Sequence, residues 1–181
     1  MLIQPLLLPI VLCTVALFFT SFLSWMVLGL HSPDWGKLPD EDPVLEALRK
    51  TGAQPGNYMV PGMETPGKKP SEEYLAKMQQ GPMGVLTLFP GMTMGRNLAL
   101  TFLYFFVVCV GLAYLARLAL PAGAEFMTVF RFVSTASLMT FLAALVQHAI
   151  WFRCRIVGHV IESVLYAAIV AGIFGAMWPK A

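Results

Sequence analysis

Charge is scarce in this chain. Asp, Glu, Lys and Arg supply 12% of its 181 residues, about half the share of roughly 25% usual in a soluble domain, while 57% of the residues are hydrophobic. A soluble globular fold is thereby excluded. The net charge of +2, with no basic stripe, excludes nucleic acid as a partner. Cysteine is sparse as well: Cys13, Cys109 and Cys154 fall in or beside different apolar segments, so no disulfide framework follows. The chain has no Gly-rich phosphate loop, no well-placed Ser/His/Asp set and no paired carboxylates, and nothing points to an enzyme. An inverted repeat is missing too, and the last three apolar segments carry no internal proline, against the broken helices common in carriers.

What the chain has is apolar length. A bilayer core about 30 Å thick needs roughly 20 mostly apolar residues in a helix, and four windows qualify: 5–30, 97–119, 124–150 and 156–178. They lack the alternation of barrel strands, and lipid offers backbone groups no partners, so all four are expected as helices. The first resembles a secretory signal in position, but it has no Lys/Arg before its apolar run and a poor cleavage site at Leu28-Gly29-Leu30-His31. It reads as a retained anchor. The predicted fold is an all-α membrane protein: transmembrane helix 1 in 1–31, a Pro/Gly-rich extramembrane loop with two short helices in 32–96, and transmembrane helices 2–4 in 97–181.

In the loop, Lys37, Arg49, Lys50, Lys68, Lys69 and Lys77 stand against eight carboxylates. Asp42-Pro43 predicts a helix start and Gly52 its stop; Ser71 predicts a second helix running to Gln80, ended by Gly81-Pro82. Pro55-Gly56, Pro61-Gly62 and Pro66-Gly67 mark turns, so the rest is expected as compact coil and not a β domain. Setting the long loop aside, the positive-inside rule finds Arg153 and Arg155 on the loop side against Arg117 and Lys180 opposite, a tie. A long loop of balanced charge translocates regardless of charge, which favours a cytoplasmic N-terminus with the loop outside.

Ionisable groups inside the segments are few. A charge at the bilayer centre costs about 2.5–3.5 kcal/mol on insertion scales, so each needs a partner or a cavity. His159, Glu162 and Tyr166 share one side of helix four, and Gln147 and His148 stand near them on helix three across a short hairpin. Two readings stand: a proton-handling or ligand-binding cluster, and an interhelical hydrogen-bond lock with Glu162 protonated or paired. His148 and His159 are also candidate haem or metal ligands, and Met92 and Met94 are candidate Cu(I) ligands. Neither set has the spacing of an established motif, and methionine equally packs loops onto membranes or partners. Arg131 is expected to snorkel to headgroups, and Trp25, Trp35, Trp151 and Trp178 to anchor segment ends at the interface.

Helix four carries Ala167, Ala171 and Gly175 at every fourth position, beside a parallel row through Ala168, Gly172 and Ala176. Small residues at that spacing let helix backbones approach closely, so this is a packing face.

Several stretches carry a family likeness: Ser24-Trp25-Met26-Val27-Leu28, Pro55-Gly56-Asn57-Tyr58-Met59, Gly81-Pro82-Met83-Gly84-Val85-Leu86, Met94-Gly95-Arg96-Asn97-Leu98, Phe130-Arg131-Phe132, Ile150-Trp151-Phe152 and the ending Gly172-Ile173-Phe174-Gly175-Ala176-Met177-Trp178-Pro179. Together they resemble a family of small, uncharacterised four-span bacterial inner-membrane proteins. The resemblance implies four spans and no assigned chemistry, with Asp-Gly where this chain has Glu162-Ser163.

The expected function is that of a structural or accessory subunit, in contact with the lipid bilayer and with other membrane-protein subunits or further copies of itself, docking through helix four and the long loop. The alternatives are a small oligomeric channel or proton-linked transporter using Glu162, and a haem- or copper-handling membrane protein.

Overall fold

Because lipid cannot satisfy backbone N–H and C=O groups, each apolar stretch closes its hydrogen bonds internally as helix. In the computed structural model, which describes residues 4–63, 69–91 and 93–181, helix α1 covers Leu7–Phe22, preceded by a 3-10 turn at Gln4–Leu6 and continued by a π-helical turn at Leu23–Val27. Helices α4 (Met94–Ala119), α5 (Phe126–Phe152) and α6 (Val157–Ala176) follow the loop. These four are long and apolar enough to cross a membrane; even α6, with 20 residues, reaches about 30 Å at 1.5 Å per residue. The chain is a multi-pass helical membrane protein with its spans in contact with the bilayer.

The chain divides into two units, one running to Gly36 and resuming over Met94–Ala181, the other comprising Lys37–Thr93. In the first, α6 packs along α5 and also against α1, and α1 packs on α4. Leu6, Ile10, Cys13 and Leu17 form one buried stripe down the first span, at the alternating steps of four and three that keep residues on one helix face. It meets Cys109, Leu112, Ala113 and Ala116 of α4 and Val170, Ala171 and Phe174 of α6 in a common core. Lipid tails are as apolar as leucine, so close packing holds these helices together more than exclusion from solvent does. Midway, Phe105, Phe141 and Tyr166 pack edge to face, their centroids 5.2–6.3 Å apart.

The small residues of α6 divide between two surroundings. Ala167 and Ala171 are buried, and a Cβ added at Gly175 would lie 2.7 Å from the Phe126 ring and 3.3 Å from the Phe126 carbonyl. Gly172 has open space where a Cβ would stand, and Ala168 is exposed. At the same end of the bundle as Gly175, the Trp178 indole N–H donates to the Pro121 carbonyl at 2.8 Å, and the Arg117 guanidinium lies 5.8 Å from the Trp178 ring centre. That contact gives Arg117 an aromatic partner where two of its nitrogens are buried without a hydrogen bond, as a cation–π pair does. Arg131, expected to snorkel, is exposed on α5.

The second unit holds α2 (Asp42–Thr51), β1 (Gly56–Val60), α3 (Glu72–Gln80) and β2 (Gly84–Leu88). Helix α2 carries Asp42 and a proline in its first turn, Arg49 and Lys50 in its last, and a left-handed Gly52 at its C-cap; the charges oppose the helix dipole at both ends. Ser71 caps α3 by accepting from the Tyr74 N–H at 3.2 Å, and Glu73 pairs with Lys77 at 2.6 Å. That neighbouring ammonium holds the Glu73 carboxyl below the usual carboxylate range.

The expected coil around these helices is corrected in one respect. Strands β1 and β2 form an antiparallel pair, with Gly56 opposite Leu88 and Tyr58 opposite Leu86. Asn57-Tyr58-Met59-Val60 and Val85-Leu86-Thr87-Leu88 are rich in β-branched and aromatic residues, which suit a pleated surface, and Gly56 opens a strand instead of closing a turn. Pro66-Gly67 lies outside the described residues.

Gly175→Leu is expected to loosen α5 from α6 by about 1–3 kcal/mol through overpacking against Phe126, whereas Gly172→Ala should be nearly neutral. Denaturant titration of the purified protein in mild detergent, followed by circular dichroism, checks both.

Candidate functional site

The end of the first span creates the site. The Leu28 N–H bonds the Leu23 carbonyl at 2.8 Å and the Leu30 N–H bonds the Ser24 carbonyl at 3.1 Å, while Gly29 takes φ +58. This is the end of the π-helical turn, closed by a glycine free to adopt the left-handed conformation. It folds the chain back so that His31 stacks on Trp25, centroids 4.0 Å apart and planes 14° from parallel. A short 3-10 turn over Ser32–Asp34 follows, with the Asp34 N–H donating to the His31 carbonyl at 3.0 Å.

Helix α6 meets this hook with glycine. A Cβ at Gly158 would stand 2.9 Å from the Leu30 carbonyl oxygen and 3.0 Å from Cε1 of His31, so only a residue without a side chain admits the contact. One turn further along α6, Glu162 projects into the same place. His31 is 2% exposed and Glu162 6%, so both ionisable groups are held almost entirely out of water.

The distances define a network. His31 Nδ1 lies 2.8 Å from Asp34 Oδ2; a carboxylate only accepts, so Nδ1 carries the proton and donates. His31 Nε2 is then turned towards Glu162 Oε2 at 3.3 Å. His159 completes the group, its ring 4.4 Å from that of His31 and its Nε2 4.0 Å from Asp34 Oδ2. Among the described residues, His31 Nε2, Glu162 Oε1 and the Ser24 hydroxyl are buried with no hydrogen-bond partner. A bare imidazole lone pair facing a carboxylate is repulsive, so a positive charge, a proton or a cation, must lie between these atoms.

Of the residues singled out from the sequence, Glu162 and His159 belong to this cluster. Tyr166 is buried one turn further on, and its hydroxyl approaches Ser21 and Glu162 without closing a hydrogen bond to Glu162 Oε1. Gln147 and His148 are exposed on α5, the His148 ring resting on Phe152 at 4.5 Å. Met94 is exposed at the start of α4, and Met92 lies outside the described residues. Ala167, Ala171 and Gly175 serve packing within the chain, whereas Gly172 faces open space.

Sequence reasoning missed His31, Asp34 and the role of Trp25. The signal available was thin: one of only three histidines in the chain, standing just past a span and followed at i+3 by an acid. Trp25 reads as an interfacial anchor, and nothing local shows that the chain turns back onto it.

His31→Ala should cost about 3–5 kcal/mol, because it leaves the buried Glu162 carboxyl without its partner. His148→Ala should stay within about 0.5 kcal/mol, as exposed substitutions do. Reversible unfolding of the two variants in detergent gives the comparison.

No protein-family model, curated protein or solved structure matches this chain, and no family is identified.

Proposed function

We propose that this protein is a structural or accessory subunit of a larger membrane assembly, docking through its extramembrane unit and the open small-residue row of α6. One observation carries the reading: no described residue of Lys37–Thr93 is buried. A unit of that size normally needs a core of its own to stay folded. Here Leu45, Met59, Val60, Leu75, Val85 and Phe89 are all exposed, and both strands are edges with one side unpaired. An apolar surface on a water-facing unit, with unpaired strand edges beside it, is what a partner polypeptide covers.

Helix α6 adds a second, narrower surface. The Ala167, Ala171 and Gly175 row is taken up inside the chain, which leaves Ala168 and Gly172 for the close approach of another helix. Ala168 also borders a groove between α5 and α6 lined by Phe130, Ser134, Leu138 and Val164.

The transport alternative draws less support. Beyond Glu162 the interior is filled by the Phe105, Phe141 and Tyr166 rings and then by Val170 and Phe174, a poor route for ions or protons through one chain. The setting that fits the sequence is a bacterial inner membrane, with the N-terminus cytoplasmic and the loop outside.

A photo-crosslinking residue at Met59 or at Val85, in native membranes, should give one adduct of the same mass from both positions, containing a second polypeptide. Adducts with lipid alone, or with further copies of this chain alone, would contradict the docking reading. For orientation, Lys69→Cys combined with Cys154→Ser, which removes the exposed native thiol, should react with a membrane-impermeant maleimide in intact spheroplasts; reaction only after lysis would reverse the topology.

A further inference from the structure

We propose that His31, His159 and Glu162 form a binding site for a divalent transition-metal ion, Zn²⁺ by its donor set, with Asp34 as the positioning carboxylate. The site clamps the end of the first span to the start of the fourth, and it stands independently of any docking partner.

Three ligand atoms, one from each residue, lie within 4.8 Å of one another. Two ligands at about 2.1 Å from a tetrahedral ion are about 3.4 Å apart, and His31 Nε2 and Glu162 Oε2 are 3.3 Å apart. That pair has the spacing of one edge of a zinc tetrahedron. His31 Nε2 is buried with no hydrogen-bond partner, which leaves its lone pair free for an ion. His159, the least buried of the three, stands within 4.8 Å of the other two and needs to close by up to about 1.4 Å to reach the same spacing.

The surroundings point the same way. A metal-bound histidine usually donates its other ring N–H to a carboxylate, which fixes the tautomer and turns the free nitrogen inwards. Asp34 does this to His31 at 2.8 Å, and Trp25 stacked on the ring holds its plane. Charge closes as well: with both imidazoles neutral, Glu162 and Asp34 contribute two negative charges, which one divalent ion neutralises. Imidazole nitrogen with a single ligating carboxylate favours zinc-like ions over calcium or magnesium, which take oxygen ligands. Among the described residues no thiol belongs to the group, which argues against a soft ion such as Cu(I). Three protein ligands leave a fourth position for water, on the partly exposed His159 side.

The competing occupant is a single shared proton, and metal binding separates the two. Full-length protein, purified in mild detergent and stripped with chelator, should bind one Zn²⁺ per chain, and Co²⁺ in its place should give the intense visible bands of a tetrahedral site. X-ray absorption of the zinc-loaded wild type should fit two imidazole nitrogens and oxygen at about 2.0–2.2 Å. His159→Gln and Glu162→Gln should each weaken binding at least tenfold, and Asp34→Asn by about 10–100-fold, with His148→Ala unchanged. The wild-type spectra do not depend on any variant folding. Failure of the wild type to bind saturably, a sulfur or all-oxygen shell, or unchanged affinity in both His159→Gln and Glu162→Gln would overturn the assignment.

Discussion

The approach of the Leu30–His31 hook to Gly158 is the constraint on which the polar part of this protein depends. It brings a histidine and a glutamate within 3.3 Å at the edge of an apolar bundle, where an unpaired charge is costly. Three local features must agree for that contact to form. The first span must end in a left-handed glycine, α6 must open with a residue lacking a side chain, and an acid must follow one turn later. The reversal at Gly29 and the start of α6 therefore form one site.

Around that point the bundle obeys membrane rules. Its helices are apolar on nearly every side because their outer surfaces meet lipid, and specificity of packing comes from shape. Cys13, Ala113, Ala116 and Ala171 are small and fully buried, and Gly175 seats Phe126. At the far end, the Trp178–Pro121 bond and the Arg117–Trp178 contact tie the end of the chain to the α4–α5 turn. Each end of the bundle therefore has a polar or aromatic fastening, and the middle is closed by three aromatic rings.

What the sequence revealed followed the range of the interactions concerned. The four spans were legible because their length and composition are local properties, and both loop helices were legible because capping is local: Gly52, Ser71 and Gly81 mark ends within a residue or two. The β1–β2 pairing was not, because its strands lie more than twenty residues apart and each is only five residues long. Of the site, Glu162 and His159 stood out as polar groups inside an apolar run. His31 did not, since it lies outside the run and becomes notable only once the reversal at Gly29 returns it to α6. His148 drew attention by nearness in sequence to the α5–α6 turn, yet the helix directs its ring to Phe152.

The extramembrane unit and the polar cluster answer different questions about the protein. Among its described residues the first exposes apolar side chains and buries none, which is why we propose that a partner docks there; the second is buried, where we propose that an ion binds. The account of the cluster rests on the direct coupling of His31 to Glu162. A double-mutant cycle on these two residues, by reversible unfolding in detergent, tests it most directly: the account predicts a coupling energy of about 1–3 kcal/mol, and a value near zero would contradict it.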